Sequence, residues 1–103
     1  MKIIKQLVEM IEDELEGAEE YAKCAIKHKA DHPMLARALY DISVQEMVHV
    51  KILHDEVVRV IDEYRAKSGD PPASMLAVYE YMHERHIDEA KEVRQYQEQY
   101  REE

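Results

Sequence analysis

Apolar residues recur every three or four positions along nearly the whole chain, the spacing of one face of an α-helix. Ile3, Leu7, Met10 and Ile11 begin one stripe, which continues through Ala18, Tyr21 and Ala25. Leu35, Leu39 and Ile42 begin a second, which runs on to Leu53, Val57, Val60 and Tyr64. Met75, Tyr79 and Met82 begin a third, which ends in Val93, Tyr96 and Tyr100. Two places break the pattern. At Ala30-Asp31-His32-Pro33, Asp31 or His32 can precede a helix that takes Pro33 in its first turn. At Ser68-Gly69-Asp70-Pro71-Pro72, Gly69 suits the end of one helix, Asp70 the cap of the next and Pro71 its first position. The pattern predicts three long helices, over about residues 2–29, 33–67 and 71–101, in a single all-α domain covering residues 1–103.

Each stripe is interrupted by ionisable residues: Glu14 in the first, Glu46 and His49 in the second, His86 and Glu89 in the third. A helix turns about 100° per residue, so Glu46 and His49 lie about 60° apart, one turn apart in height. That Glu-x-x-His spacing lets a carboxylate and an imidazole converge on one metal ion. The spacing alone is weak, since Glu80-Tyr-Met-His83 shares it. Height decides between them. Folding the first two helices about a turn near residue 31 brings Glu14 level with about position 48, between Glu46 and His49. Folding the third helix back about a turn near residue 69 brings Glu89 level with His49 and places His86 one turn away. The same fold puts His83 near about position 55, off this layer.

Helices of about 30 residues are about 45 Å long, more than a compact domain of this size would span. Three of them leave apolar surface uncovered, which predicts a dimer, or a multiple of dimers, that completes four-helix packing. Two Gly, three Pro and no Trp or Phe agree with an all-helical chain. The net charge of -9, from 23 acidic and 14 basic residues, disfavours nucleic acid and anionic membranes as partners and suits cations. No apolar run approaches a membrane span and none reads as a signal peptide. With the lone Cys24, this predicts a reducing, cytoplasmic setting in which Cys24 is a small, partly buried side chain.

Carboxylates buried without a partner would become neutral unless a positive charge joins them. Two Glu and one His offer the oxygen and nitrogen donors that iron or manganese accepts, and the lack of nearby Cys argues against a thiolate-rich zinc or iron–sulfur site. One chain supplies three ligands, and two chains about a twofold axis supply four carboxylates and two imidazoles.

Glu14-Leu-Glu-Gly-Ala-Glu-Glu-Tyr21 and Glu46-Met-Val-His49 resemble the ferritin-like superfamily, especially rubrerythrin-type proteins and the short encapsulated ferritins. The family's first ligand, a Glu seven residues before an aromatic, falls on Glu14 before Tyr21; its Glu-x-x-His falls on Glu46 and His49. The resemblance covers residues 1–67. Beyond them the chain departs from the full ferritin pattern, with one more helix and no fourth.

The resemblance implies a di-iron site with ferroxidase chemistry, using ferrous iron and O2 or peroxide, with manganese or zinc as alternative metals. Under it Glu14, Glu46 and His49 are both the metal ligands and the catalytic residues: Glu46 bridging, Glu14 terminal or bridging, His49 a terminal nitrogen. Glu89 and His86 are further candidate ligands, Tyr21 a residue ordering the site from behind. A shell or redox partner protein would complete a storage or relay role. Two other readings stand beside it: a metal-free helical interaction module in which Glu14, Glu46 and His49 satisfy one another, and a ferritin-like scaffold with a structural metal and no turnover. His28 and His32 flank the first turn, and His54 is expected on the bundle flank. Glu16, Glu19 and Glu20 are expected on a solvated face with Lys23 and Lys27.

Overall fold

The computed structural model describes residues 2–102 as three α-helices: α1 (Lys2–His28), α2 (Pro33–Ser68) and α3 (Ala73–Glu102). In the first turn, His32 N–H donates to His28 O at 2.8 Å and its own carbonyl accepts from Ala36 N–H at 2.9 Å. His32 therefore occupies the cap position of α2 with Pro33 first in the helix, and its side chain makes no capping bond. Gly69 closes α2 with φ 80°, a left-handed conformation that favours glycine, while its N–H donates to Arg65 O at 3.1 Å.

The start of α3 differs from expectation. Pro72 O, not Asp70, receives the first helical bonds, from Met75 N–H at 3.0 Å and Leu76 N–H at 3.2 Å. A proline disfavours helical geometry in the residue before it, so Pro72 keeps Pro71 out of the helix. Asp70 instead faces Arg65, with Nε and Oδ1 3.3 Å apart.

The three helices form a rod whose Cα extents are 56 × 18 × 18 Å. That length is α2 itself, 36 residues at about 1.5 Å each. Tyr79, near the start of α3, packs on the Ile4, Ile11, Leu15, Val57 and Ile61 cluster. At the other end Tyr100 packs on Ala25 and Ala36 and stacks on Tyr40 at 4.6 Å. Thus α3 folds back along the hairpin, parallel to α1 and antiparallel to α2. It leans mainly on α1 and touches α2 lightly. Ala18, Ala22 and Ala25 are fully buried on α1 and leave room for close helix approach.

A hydrogen-bonded chain crosses all three helices. Ser43 Oγ donates to Ala18 O at 2.6 Å and accepts from Gln97 Nε2 at 3.0 Å, with Ser43 fully buried. At the adjoining end, the Lys29 ammonium donates to Tyr100 O and lies 4.7 Å from its ring centre, and Arg101 Nη1 donates to Tyr40 Oη at 2.8 Å.

Burial corrects the sequence stripes by a rotation. Ile3, Met10, Tyr21, Leu35 and Ile42, all assigned to stripes, are exposed, while Ile4, Leu15, Ala22, Ala36 and Ile61 are buried. The hairpin is apolar on more than one side and α3 covers only one of them. Cys24 is exposed, contrary to expectation. Glu19 pairs with Lys23 at 3.7 Å on the surface, as expected for a solvated face. Among the described residues no helix is long and apolar enough to cross a membrane.

Ser43→Ala strands the buried Gln97 amide, and the expected loss is about 1–3 kcal/mol of unfolding free energy in urea. Ser43→Ala combined with Gln97→Leu removes both partners and recovers most of it. A single-variant loss below about 0.5 kcal/mol would show that the bond chain does not hold the register.

Candidate metal centre

Glu14 on α1 and Glu46 and His49 on α2 come together on the side of the hairpin away from α3. Each offers one ligand atom, and the three atoms lie within 4.8 Å of one another. His49 Nδ1 is 3.4 Å from Glu14 Oε2. Oxygen and nitrogen ligands sit about 2.0–2.2 Å from a transition-metal ion, so ligands round one ion are at most about 4.4 Å apart. Closing the cluster takes a shift of a few tenths of an ångström. The side chains are free to make it, with 51% of His49 and 28% of Glu14 exposed.

The local sequence explains the convergence. Ser43 is one turn before Glu46 and Ala18 one turn after Glu14, so the Ser43–Ala18 bond sets the level of the acidic pair. Gly17 leaves a shallow recess beside the Glu46 carboxylate, which an added methyl would fill at contact distance. A Cβ there would stand 3.4 Å from Glu46 Oε2, 3.8 Å from its Cδ and 4.0 Å from Tyr21 Cε2. A glycine inside a helix costs about 0.5–1 kcal/mol relative to alanine, and here it opens the α1 surface against which the Glu46 carboxylate lies. The donor set and this recess fit a metal ion. Tyr21 borders the same recess, 37% exposed.

His86 and Glu89 do not join this cluster. His86 is buried, with Nε2 lacking a hydrogen-bond partner, and faces a cavity shared with His54 and His83. His54 is half-buried there instead of on the flank, its ring stacked 4.8 Å from that of His83. The Glu80/His83 pair is thus remote from the acidic cluster, as height predicted. Glu89 feels Glu12, Glu16 and Glu19 of α1. The levels across the second turn were right; the side of the hairpin that α3 occupies was not legible from them.

Neither a protein-family model, nor a curated protein, nor a solved structure significantly matches this chain.

Electrostatics separates the two regions. Burial pushes His83 below the usual imidazole range, helped by nearby His54 and opposed by Glu84. Burial likewise lowers His86, against the pull of Glu12, with His83, Arg85 and His54 adding to the lowering. Burial raises Glu89, aided by Glu12, Glu16 and Glu19 and opposed by Arg85.

Sequence reading missed Gly17, Ser43 and Gln97. Gly17 carried a signal, as one of only two glycines and the one placed inside a helix. A serine beside a stripe residue, as Ser43 is beside Ile42, carried none that distinguished it.

Gly17→Leu tests the recess. Leucine is a good helix former but points back toward the N-terminal turn, over Glu14. The helix is expected to gain about 0.5–1 kcal/mol while Mn(II) affinity, read by calorimetry, falls at least about tenfold. Unchanged affinity would show that Glu46 does not need the space.

A second test uses pH. The unfolded chain takes up protons at His83 and His86 before the folded chain does, so their contribution is complete above about pH 6.5 and shrinks as pH falls below it. Glu89 acts oppositely: the fold holds its proton longer, and stability is lost as pH rises through the carboxylate range. The parent's loss of unfolding free energy between about pH 7.5 and 5.5 is expected to be smaller in His86→Leu. Equal slopes would remove His86 from the account.

Proposed function

We propose that this chain is half of a ferritin-like di-iron carboxylate protein, in which two copies pair across the Glu14/Glu46/His49 face to bind and oxidise ferrous iron. The convergence of three ligand atoms from two helices within 4.8 Å carries this reading. The surroundings support it. Ile3, Met10 and Tyr21 lie within about 40° of Glu14 on α1, and Leu35 and Ile42 within about 40° of Glu46 on α2. All five are exposed. An apolar border of this kind round a polar centre is what a self-complementary helix interface presents. A twofold partner would double the donors to four carboxylates and two imidazoles, and would remove the site from water.

In such a site Glu14, Glu46 and His49 hold the metal, which when bound supplies the one-electron redox chemistry. The carboxylates offset cationic charge, His49 fixes one nitrogen ligand, and the Gly17 recess lets the Glu46 carboxylate lie against α1. Tyr21 closes one edge of the recess. Oxygen or peroxide is the oxidant in this reading, and a shell or redox partner would receive the product.

The Glu14–His49 contact at 3.4 Å favours a second reading, a metal-free module in which these groups only fix helix register. Anaerobic loading with ferrous iron separates the two. The expected result is about one iron per chain in a dimer, oxygen-dependent absorbance, and loss of both in Glu46→Ala and His49→Ala. Equal iron in parent and variants would contradict the site, and binding silent to oxygen would make the metal structural.

A further inference from the structure

A second recess lies between α2 and α3, with a volume of about 440 Å³. It exists because α3 packs on α1 and only lightly on α2. Ile11 of α1 lines it, with Met47 and Val50 of α2 and Ile87 and Ala90 of α3, so its middle is apolar. Its polar residues are His54, His83 and His86, then Lys51, Arg94 and Gln97. In a chain with 23 acidic residues, no carboxylate among the described residues lines it. That is the reverse of the charge elsewhere on the protein.

The polar groups fall at two ends. His86 stands one turn along α3 from His83, which stacks on His54 at 4.8 Å. Arg94 is eight residues further along α3, about 12 Å away at the helical rise. Lys51 is already held by Asp55 at 3.0 Å. Arg94 forms no ion pair among the described residues, and Gln97 Nε2 is engaged with Ser43. At the opposite end His86 is 7% exposed and its Nε2 is buried without a partner. A buried nitrogen left without a partner is costly, and a ligand group reaching it from the recess would relieve that cost.

We infer that this recess binds a linear α,ω-dicarboxylate with an apolar chain, one carboxylate on the Arg94 guanidinium and the other against His86. The match is one of charge and shape: a cationic end, an imidazole end, and an apolar stretch between two α3 positions about 12 Å apart along the helix axis. A monocarboxylate leaves one end unanswered, and a diol lacks the charge for Arg94. The site lies across α2 from Glu14, Glu46 and His49 and does not depend on a metal there.

The test is calorimetric titration of the metal-free 103-residue chain with sebacate, alongside decanoate and 1,10-decanediol. Sebacate is expected to bind one per chain and to shift the imidazole signals of His86. Decanoate should bind at least about tenfold more weakly and the diol more weakly still, since a charge-assisted hydrogen bond is worth about 1.5–3 kcal/mol. Arg94→Gln, on an exposed side chain that the fold does not need, should weaken sebacate about tenfold or more while leaving the helical circular dichroism unchanged. His86→Leu should weaken it too and abolish the preference over decanoate. Absence of sebacate binding, a diol that binds as tightly, or an Arg94→Gln affinity within about twofold of the parent would each overturn the inference.

Discussion

The hydrogen bonds from Gln97 to Ser43 and from Ser43 to the Ala18 carbonyl are the constraint on which the rest of the structure rests. Long helices with wide apolar faces can slide by a turn or rotate without losing much burial, since one leucine replaces another. A buried hydroxyl that must both donate and accept cannot. It sets α2 against α1 and α3 against α2 at one height. One turn further along, on the same side of it, stand Glu14 and Glu46, whose meeting is a consequence of that height. The fully buried Ala18, Ala22 and Ala25 let the backbones approach closely enough for so short a side chain to reach.

From this register follows a division of the molecule into two unlike sides. On one, the α1–α2 hairpin is uncovered, and its exposed apolar residues border an acidic cluster with one imidazole. On the other, α3 is laid over α1 and leaves a cleft against α2 lined by imidazoles, a lysine and an arginine. A net charge of -9 describes neither side well. The acidic cluster is the proposed cation site, shared with a second copy; the cleft is the proposed anion site of a single chain. His49 and His54, five residues apart on α2, serve opposite sides because 500° of helical turn carries them about 140° apart.

Much of this was legible before any coordinates. Helix number and near-boundaries followed from the stripes, from Pro33 and from Gly69, because few other local structures satisfy those residues. The height of Glu14 against Glu46 and His49 followed from the first turn, since a short connection between antiparallel helices fixes level to within about a turn. The exception at α3 was two prolines in a row, where Pro72 forbids the helical start that Pro71 alone would accept. Rotation about each helix axis was harder. Ile3 and Ile4, or Met10 and Ile11, are equally apolar neighbours about 100° apart, and only packing decides which is inside. The same ambiguity hid the side on which α3 lies, and with it the fate of His86 and Glu89. The partnership of Ser43 and Gln97 was invisible because it joins residues 54 apart through a serine with no local signature.

The central claim is that Glu14, Glu46 and His49 are half of a two-metal site completed by a second copy of the chain. Anomalous diffraction at the iron edge, from crystals grown anaerobically with ferrous iron, addresses it most directly. The account predicts two iron peaks about 3.5–4 Å apart, lying between two chains related by a twofold axis and touched by these three residues from each. Iron bound at this cluster within a single chain, or iron bound only elsewhere, would contradict it.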